Sequence, residues 1–438
     1  MPMRPKIIVL DDDPTGSQTV HSCSLLLRWD VAILREALQD PAPIFFILAN
    51  TRAMNESEAI ATTKEICRNL KAALAAENIT DYWLVSRSDS TLRGHFPAET
   101  EAIASIFGEF DACFHAPAFF EGGRITRDGT HYIATADSLT PVHETEFAKD
   151  RVFGFKDSFL PNYIAEKTNG AIAAKDVDIL EPQQSSKNVD DYLLGLSNNK
   201  QVVLSATTQQ DFDQLVNPLQ AATNKGKKFL FRSAASLLTS LANVGKQPVP
   251  AEKMATYRQS KKNGIIFVGS YVQKTTDQLT ELLQLDDVRG IEIDIYACQN
   301  ADQRKKLVTA ITTQLETLFA KNITPVLFTQ RTFQTQKTAS EQMIFGQNIN
   351  QCFQEILLLL PPDLGFIISK GGNTTNQLLS RGLALKTVQL LGQILPGCCL
   401  VKTSDSHPKF SNLPIVLFPG NVGDRQGLIT TYKRLHKL

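Results

Sequence analysis

The stretch KIIVLDDDPTGSQTVHS, Lys6 to Ser22, decides how the rest of the chain reads. Its apolar run, Ile7 to Leu10, is bounded by charge on both sides, as in a strand buried within a parallel sheet. The run ends in Asp11, Asp12 and Asp13, then Pro14, Thr15 and Gly16. Ligands of open α/β sheets bind outside the carboxyl ends of strands. Three adjacent carboxylates there repel one another unless a cation, a metal or a polyol substrate offsets the charge. The plainer alternative is a solvated acidic loop with Asp capping a helix.

Working outward, Ile44 to Leu48, Tyr82 to Val85 and Ala112 to Ala116 read as further strands, with helices over Val31–Leu38 and Glu56–Ala75. Val202 to Leu204 and Phe229 to Phe231 follow as strands, and Arg232 comes directly after the second. Strands alternating with helices predict a mostly parallel sheet. The strand exits are polar: Asn50-Thr51-Arg52, then SRSDSTLRGHFPAE at Ser86 to Glu99, then PAFFEGGRITRDGTHY at Pro117 to Tyr132. Their recurrence predicts one site at one sheet edge.

At 438 residues the chain exceeds one ordinary core. The expected organisation is α/β throughout, as two domains with mostly parallel sheets. Residues 1–245 form the first, 246–263 a polar linker, and 264–438 the second. In the second, strands are expected at Ile265–Val268, Gly290–Ile295, Pro325–Phe328, Leu364–Ile368 and Ile415–Phe418. Helices are expected at Thr276–Leu285, Arg304–Ala320 and from beyond Arg331 through Leu360.

Lys and Arg total 45, as do Asp and Glu, for a formal net charge of zero. That balance argues against nucleic acid or an anionic membrane as partner. No apolar run reaches membrane length. The seven cysteines lack CxxC spacing, as expected of buried thiols in a reducing cytoplasm.

Two constellations carry chemistry. RSDSTLRG places Arg87, Asp89 and Arg93 in one short loop. Arg offers a planar fork to a carboxylate or phosphate, and Asp accepts from sugar hydroxyls. An internal Arg–Asp pair is the plainer alternative. Gly122, Gly123 and Arg124 add anion-binding groups. KGGNTT, Lys370 to Thr375, lies between a strand and a helix and is the best phosphate site. There Lys370 offers a point charge. PGNVGD at Pro419 to Asp424 and the Gly269-Ser270 turn are placed to converge on the same nucleotide. Neither GxGxxG nor GxxxxGK[ST] occurs, which excludes a standard dinucleotide fingerprint or Walker loop. His21 and His95 follow two of the polar exits, without metal-ligand spacing.

Together these stretches resemble the four-carbon acid sugar kinase family. The DD-x-TG turn is Asp12 to Gly16, the DSTLRG motif is Asp89 to Gly94, and the PAFPEAGR-like stretch is Pro117 to Thr126. PVHETEFAKD, Pro141 to Asp150, also matches, as do Gly269-Ser270, Thr329 to Arg331, Gly371 to Thr374, Pro396-Gly397 and Gly420 to Asp424. The resemblance covers essentially the whole chain. It implies an ATP-dependent, Mg2+-assisted kinase phosphorylating a hydroxyl of a threonate-, erythronate- or oxo-tetronate-like acid in a cleft between the domains. The implied sugar-acid residues are Asp12, Asp13, Asp89 and Arg93, with Arg87 and Arg124 beside them. Asp13, or Asp12, would take or orient the hydroxyl proton. The implied nucleotide residues are Ser270, Gly371, Gly372, Asn373, Thr374, Gly420, Asn421, Val422 and Gly423. A cytoplasmic enzyme is expected, without a protein metal site, and a homodimer is compatible with it. Three departures stand out: the extra Asp and Pro of DDDPTG, Arg87 where Lys is frequent, and Asn373 where Asp is frequent.

Two other readings compete. Asp11 to Thr15 fits the DxDxT pattern of haloacid dehalogenase-like phosphatases, with Asp11 as nucleophile and Asp13 as general acid. Leu428, however, sits where the second acid of the later motif belongs. The other is a non-catalytic nucleotide or sugar-acid binding protein of the same fold, with Asn373 in place of a carboxylate.

Overall fold

The computed structural model describes residues 5–181, 186–331 and 339–436. They group into two units that divide between Gly245 and Lys246.

In the first unit the strands are β1 (Lys6–Asp11), β2 (Cys23–Leu26), β3 (Ile44–Leu48), β4 (Tyr82–Arg87), β5 (Ala112–Ala116), β6 (Arg124–Arg127), β7 (Thr130–Ala134), β8 (Leu139–Pro141), β9 (Asp178–Leu180), β10 (Lys200–Leu204) and β11 (Phe229–Ser233). Eight of these lie side by side in the order β2-β3-β1-β4-β11-β5-β10-β9. Every pairing within that run is parallel. β6, β7 and β8 form a separate antiparallel sheet. The continuous apolar runs are explained by burial on both sheet faces. On one face Ile8, Leu10, Phe45 and Ile47 pack against Ile66, Leu70 and Leu74 of the Glu56–Ala76 helix. That helix starts at a capping box in which Asn55 and Glu58 exchange side-chain and backbone hydrogen bonds.

Register brings the polar exits level. Asp11 pairs with Leu48 and Arg87, Arg87 with Ser233, and Ser233 with Ala116. Side chains following β1, β3, β4, β11 and β5 therefore emerge along one edge.

The second unit carries β12 (Ile265–Val268), β13 (Val288–Ile293), β14 (Thr324–Thr329), β15 (Ile367–Lys370), β16 (Thr387–Leu395), β17 (Cys398–Lys402) and β18 (Pro414–Phe418). Their order is β13-β14-β12-β15-β18-β17-β16. The first five are parallel, and β16, β17 and β18 pair antiparallel. The hairpin of β16 and β17 has no counterpart in the sequence reading, because Gly392 and the bulges of β16 interrupt its pattern. β15 ends later than expected and includes Lys370. The helix expected beyond Arg331 runs from Ala339 to Leu359, and residues 332–338 lie outside those described.

Residues 246–263, expected as a linker, group with the second unit. A 3₁₀ helix at Ala251–Tyr257 puts Met254, fully buried, into the core with Ile266, Val416 and Tyr432. Arg258 then donates to the carbonyls of Leu435 at 2.8 Å and Lys262 at 2.7 Å. The polar composition of the segment serves backbone capture as well as solvent.

All seven cysteines are buried. Burial pushes the Cys67 and Cys113 thiols up to about 12. No helix among the described residues is long and apolar enough to cross a membrane.

Removing a buried side chain under the sheet tests this packing. Leu70→Ala is expected to cost about 2–5 kcal/mol. Asn55→Ala, which opens the capping box, is expected to cost about 1 kcal/mol. Urea denaturation of both variants against the unsubstituted protein measures the difference.

Candidate active site

In the first unit the sheet edge gathers acids and arginines. Asp12 is buried and takes two bonds from Arg52, Nε to Oδ2 at 3.0 Å and Nη2 to Oδ1 at 2.6 Å. Arg87 Nη1 approaches the same carboxylate at 3.3 Å. Arg52 also reaches Asp13 at 3.5 Å and Asp89 at 3.8 Å. One guanidinium thus sits among three carboxylates and offsets the repulsion between Asp12 and Asp13, while Asp11 faces Arg87 instead. The Asp13 carboxylate accepts from the Thr15 amide at 2.8 Å and from the Thr15 hydroxyl. Burial alone would raise its pKa, but Arg52 and the Thr15 bonds outweigh burial and hold it below the usual carboxylate range. Asp89 behaves the same way. Arg93, Arg52 and the Thr91 hydroxyl overcome burial and keep it ionised well below its ordinary value.

Arg93 is held by one edge. Its Nε donates to Asp89 at 2.6 Å, and its guanidinium lies 5.0 Å from the centre of the Phe147 ring. The Nη nitrogens take no acceptor among the described residues. Arg124 lies close enough to Asp89 and Arg93 for their charges to act on it, and burial lowers its pKa. Its Nη1 donates to the Gly122 carbonyl, while its buried Nε has no partner among the described residues. The expected residues Asp12, Asp13, Arg87, Asp89, Arg93 and Arg124 therefore form one cluster.

Three further members were not singled out from the sequence: Arg52, Arg232 and Glu99. Glu99 is buried against the Thr51 hydroxyl and lies 3.4 Å from Arg232 Nη1. Burial raises its pKa against the pull of Arg232. Arg52 follows β3, and Arg232 is the penultimate residue of β11, so the strand ends contained the signal. The histidines serve structure. His95 Nε2 lies 3.0 Å from the Met54 carbonyl, and His21 Nε2 lies 3.1 Å from the Gly245 carbonyl.

In the second unit three turns meet after β12, β15 and β18. A Cβ on Gly269 would fall 1.9 Å from Thr374 Oγ1, one on Gly371 3.1 Å from Ser270, and one on Gly420 2.7 Å from Ser270 Oγ. Gly371 and Gly423 also have φ of +118° and +81°, which other residues rarely adopt. The short helix beginning at Gly372 leaves its first amides, on Gly372, Asn373 and Thr374, without acceptors inside the helix. The amides of Gly420, Asn421 and Gly423 likewise find no acceptor among the described residues. Outward amides on glycine turns fit an anionic phosphate chain. Lys370 differs from expectation. Its amine is not a loose charge on the turn; it is fully buried and donates to the Pro419 carbonyl at 2.6 Å. Asn373 is exposed, and Val422 meets the rest through its carbonyl, 3.0 Å from Gln278 Nε2.

Comparison with known proteins gives one family model for each half of the chain. A family model described as a sugar-binding N-terminal domain matches residues 7–241, and one described as a nucleotide-binding C-terminal domain matches 265–428. The chain is 30% identical over 168 residues to a D-threonate kinase of Bordetella bronchiseptica, covering 36% of this chain and 39% of that protein. It is 22% identical over 457 aligned positions to a D-erythronate kinase of Heliobacterium modesticaldum, covering 97% of this chain and 95% of that one. A crystal structure of a Salmonella typhimurium LT2 protein, described provisionally as a tRNA synthase, shares the fold. Its TM-score is 0.68 at 17% identity, over 97% of this chain and 98% of the other. With a sugar-binding model on the first unit and a nucleotide-binding model on the second, the chain belongs to the four-carbon acid sugar kinase family.

Proposed function

We propose that this sugar-acid kinase transfers the terminal phosphoryl group of ATP to a hydroxyl of a threonate- or erythronate-like acid. The observation that carries the reading is Arg93, fixed to Asp89 through Nε with its Nη edge left for an incoming carboxylate. Arg124, with its unpartnered Nε, would hold a second polar group of the acid. Asp12, Arg87 and Asp89 supply the acceptors and charge around the polyol. Asp13, ionised at neutral pH, would accept or orient the proton of the attacking hydroxyl. A loose phosphoryl-transfer transition state asks mainly for positioning and charge neutralisation, so a weakly basic carboxylate suffices.

In the second unit the amides of residues 372–374 and 420–423, with Ser270, would hold the phosphates. Magnesium, when bound, would neutralise phosphate charge. Such an ion would take its ligands mainly from phosphate oxygens and water. Asn373, exposed beside those amides, brings an amide where the resemblance has a carboxylate.

The phosphatase reading needs Asp11 as an accessible nucleophile. Asp11 is fully buried, and a Cβ on Gly16 would fall 1.9 Å from its Oδ1. Burial raises its pKa to about 8, against the pull of Arg87 at 3.5 Å. A neutral, enclosed acid is poorly suited to that role.

Two tests follow from these roles. Asp13→Asn and Arg93→Ala should each lower turnover at least ~10²-fold, the low end for a general base, while ATP binding persists. ADP release across tetronic acids, with calorimetry of ATP binding, checks both halves. Turnover at the unsubstituted level in either variant would remove that residue from the proposal. For Asp11, the folded pKa lies above the unfolded value of 3.8. Its stabilising contribution is therefore complete below about pH 4 and lost as pH rises toward 8. Asp11→Asn should flatten that decline, so the variant should gain thermal stability relative to the unsubstituted protein as pH rises from 4 to 8. Curves that stay parallel would contradict a neutral Asp11.

A further inference from the structure

A fully buried lysine without a carboxylate is costly, and Lys370 is one. No carboxylate lies within ion-pair reach of its amine among the described residues. Its Nζ lies 2.6 Å from the Pro419 carbonyl, 3.4 Å from that of Gly420 and 3.8 Å from the centre of the Phe418 ring. Two other buried side chains work on the same turn. Thr275 Oγ1 lies 2.9 Å from the Gly420 carbonyl. Gln278 Nε2 donates to the carbonyls of Val422 at 3.0 Å and Asp424 at 2.7 Å. Three interior donors thus take the carbonyls of one short turn.

A trans peptide points its N–H opposite its C=O. Drawing the Pro419, Gly420 and Val422 carbonyls inward therefore turns the amides of Gly420, Asn421 and Gly423 away from the interior. These three amides find no acceptor among the described residues. We propose that Lys370, with Thr275 and Gln278, is the positioning set that presents this amide face to the nucleotide's phosphates, and that those phosphates complete the charge of Lys370. The inference rests on reading these turns as the nucleotide site.

The charge side of the proposal has a pH signature. Burial lowers the Lys370 pKa to about 7; the nearby Cys398 thiol opposes the shift and Lys274 adds to it. An anion bound above the turn favours the protonated amine, so the complex holds more protons than the unliganded protein. ATP affinity gains from Lys370 below pH 7 and loses that gain as pH rises through 7 and beyond.

The test measures ATP affinity by calorimetry from pH 6 to 9, with circular dichroism as the check on folding. Lys370→Met should weaken ATP binding about 10-fold or more at pH 6, the scale of one charge-assisted hydrogen bond. It should also remove the part of the pH dependence that the unsubstituted protein shows beyond the titration of ATP itself. Thr275→Val, a milder change, should weaken binding about 3-fold or more while keeping that pH dependence, and it carries the test if Lys370→Met does not fold. Gly420→Val, whose side chain would collide with Ser270, separates the two levels of the argument. If it abolishes binding while Lys370→Met and Thr275→Val bind as the unsubstituted protein does, the positioning proposal falls and the site stands. If Gly420→Val also binds normally, the nucleotide site itself is misplaced.

Discussion

The first unit depends on Arg52. Asp11, Asp12 and Asp13 follow one another at the end of a buried strand, and Asp89 arrives from β4. Four carboxyl groups at a water-poor edge cannot all ionise unaided. Arg52 reaches three of them, and Arg87 reaches Asp11 and Asp12. The compensation is uneven. Asp12, Asp13 and Asp89 are served by an arginine or by Thr15 and Thr91, whereas Asp11 has one distant cation and a buried oxygen without a partner. The chain therefore divides labour among neighbouring acids. Asp11 is sealed in, Asp12 is clamped, and Asp13 remains partly open to solvent and charged.

The second unit solves a complementary problem. Its turns must come close together and present amides, not side chains. The glycines allow the approach, since a Cβ at 269, 371 or 420 would press on a neighbouring turn. The buried donors beneath β18 fix which way the peptide units face. Charge in the first unit is balanced laterally, between side chains. In the second it is held below the backbone, in Lys370.

Much of this was legible from the sequence, and the reasons are specific. Parallel strands buried on both faces leave unbroken apolar runs, so β1, β3 and β12 stand out. The polar residues after them mark the edge where ligands bind. Partnership was not legible. Nothing local pairs Arg52 with Asp12, forty positions earlier, or Glu99 with Arg232. Register puts the ends of β1, β3, β4 and β11 level, and the helix Ala98–Phe107 brings Glu99 to them. Lys370 was read as a loop charge because KGGNTT looks like the start of a turn. β15 runs through Ser369 and the lysine, and its amine turns inward. The hairpin of β16 and β17 was missed because Gly392 and the Pro396-Gly397 turn obscure any simple alternation.

The burial of every cysteine has a practical side. With Cys67 and Cys113 shielded and weakly acidic, and the other five also enclosed, the folded surface offers no native handle to a maleimide or iodoacetamide reagent. One cysteine engineered at an exposed position would then be the sole point of attachment for a fluorophore or spin label, with no need to strip the native ones first. The same shielding makes alkylation of the native cysteines a clock for unfolding, because they become reactive only as the core opens.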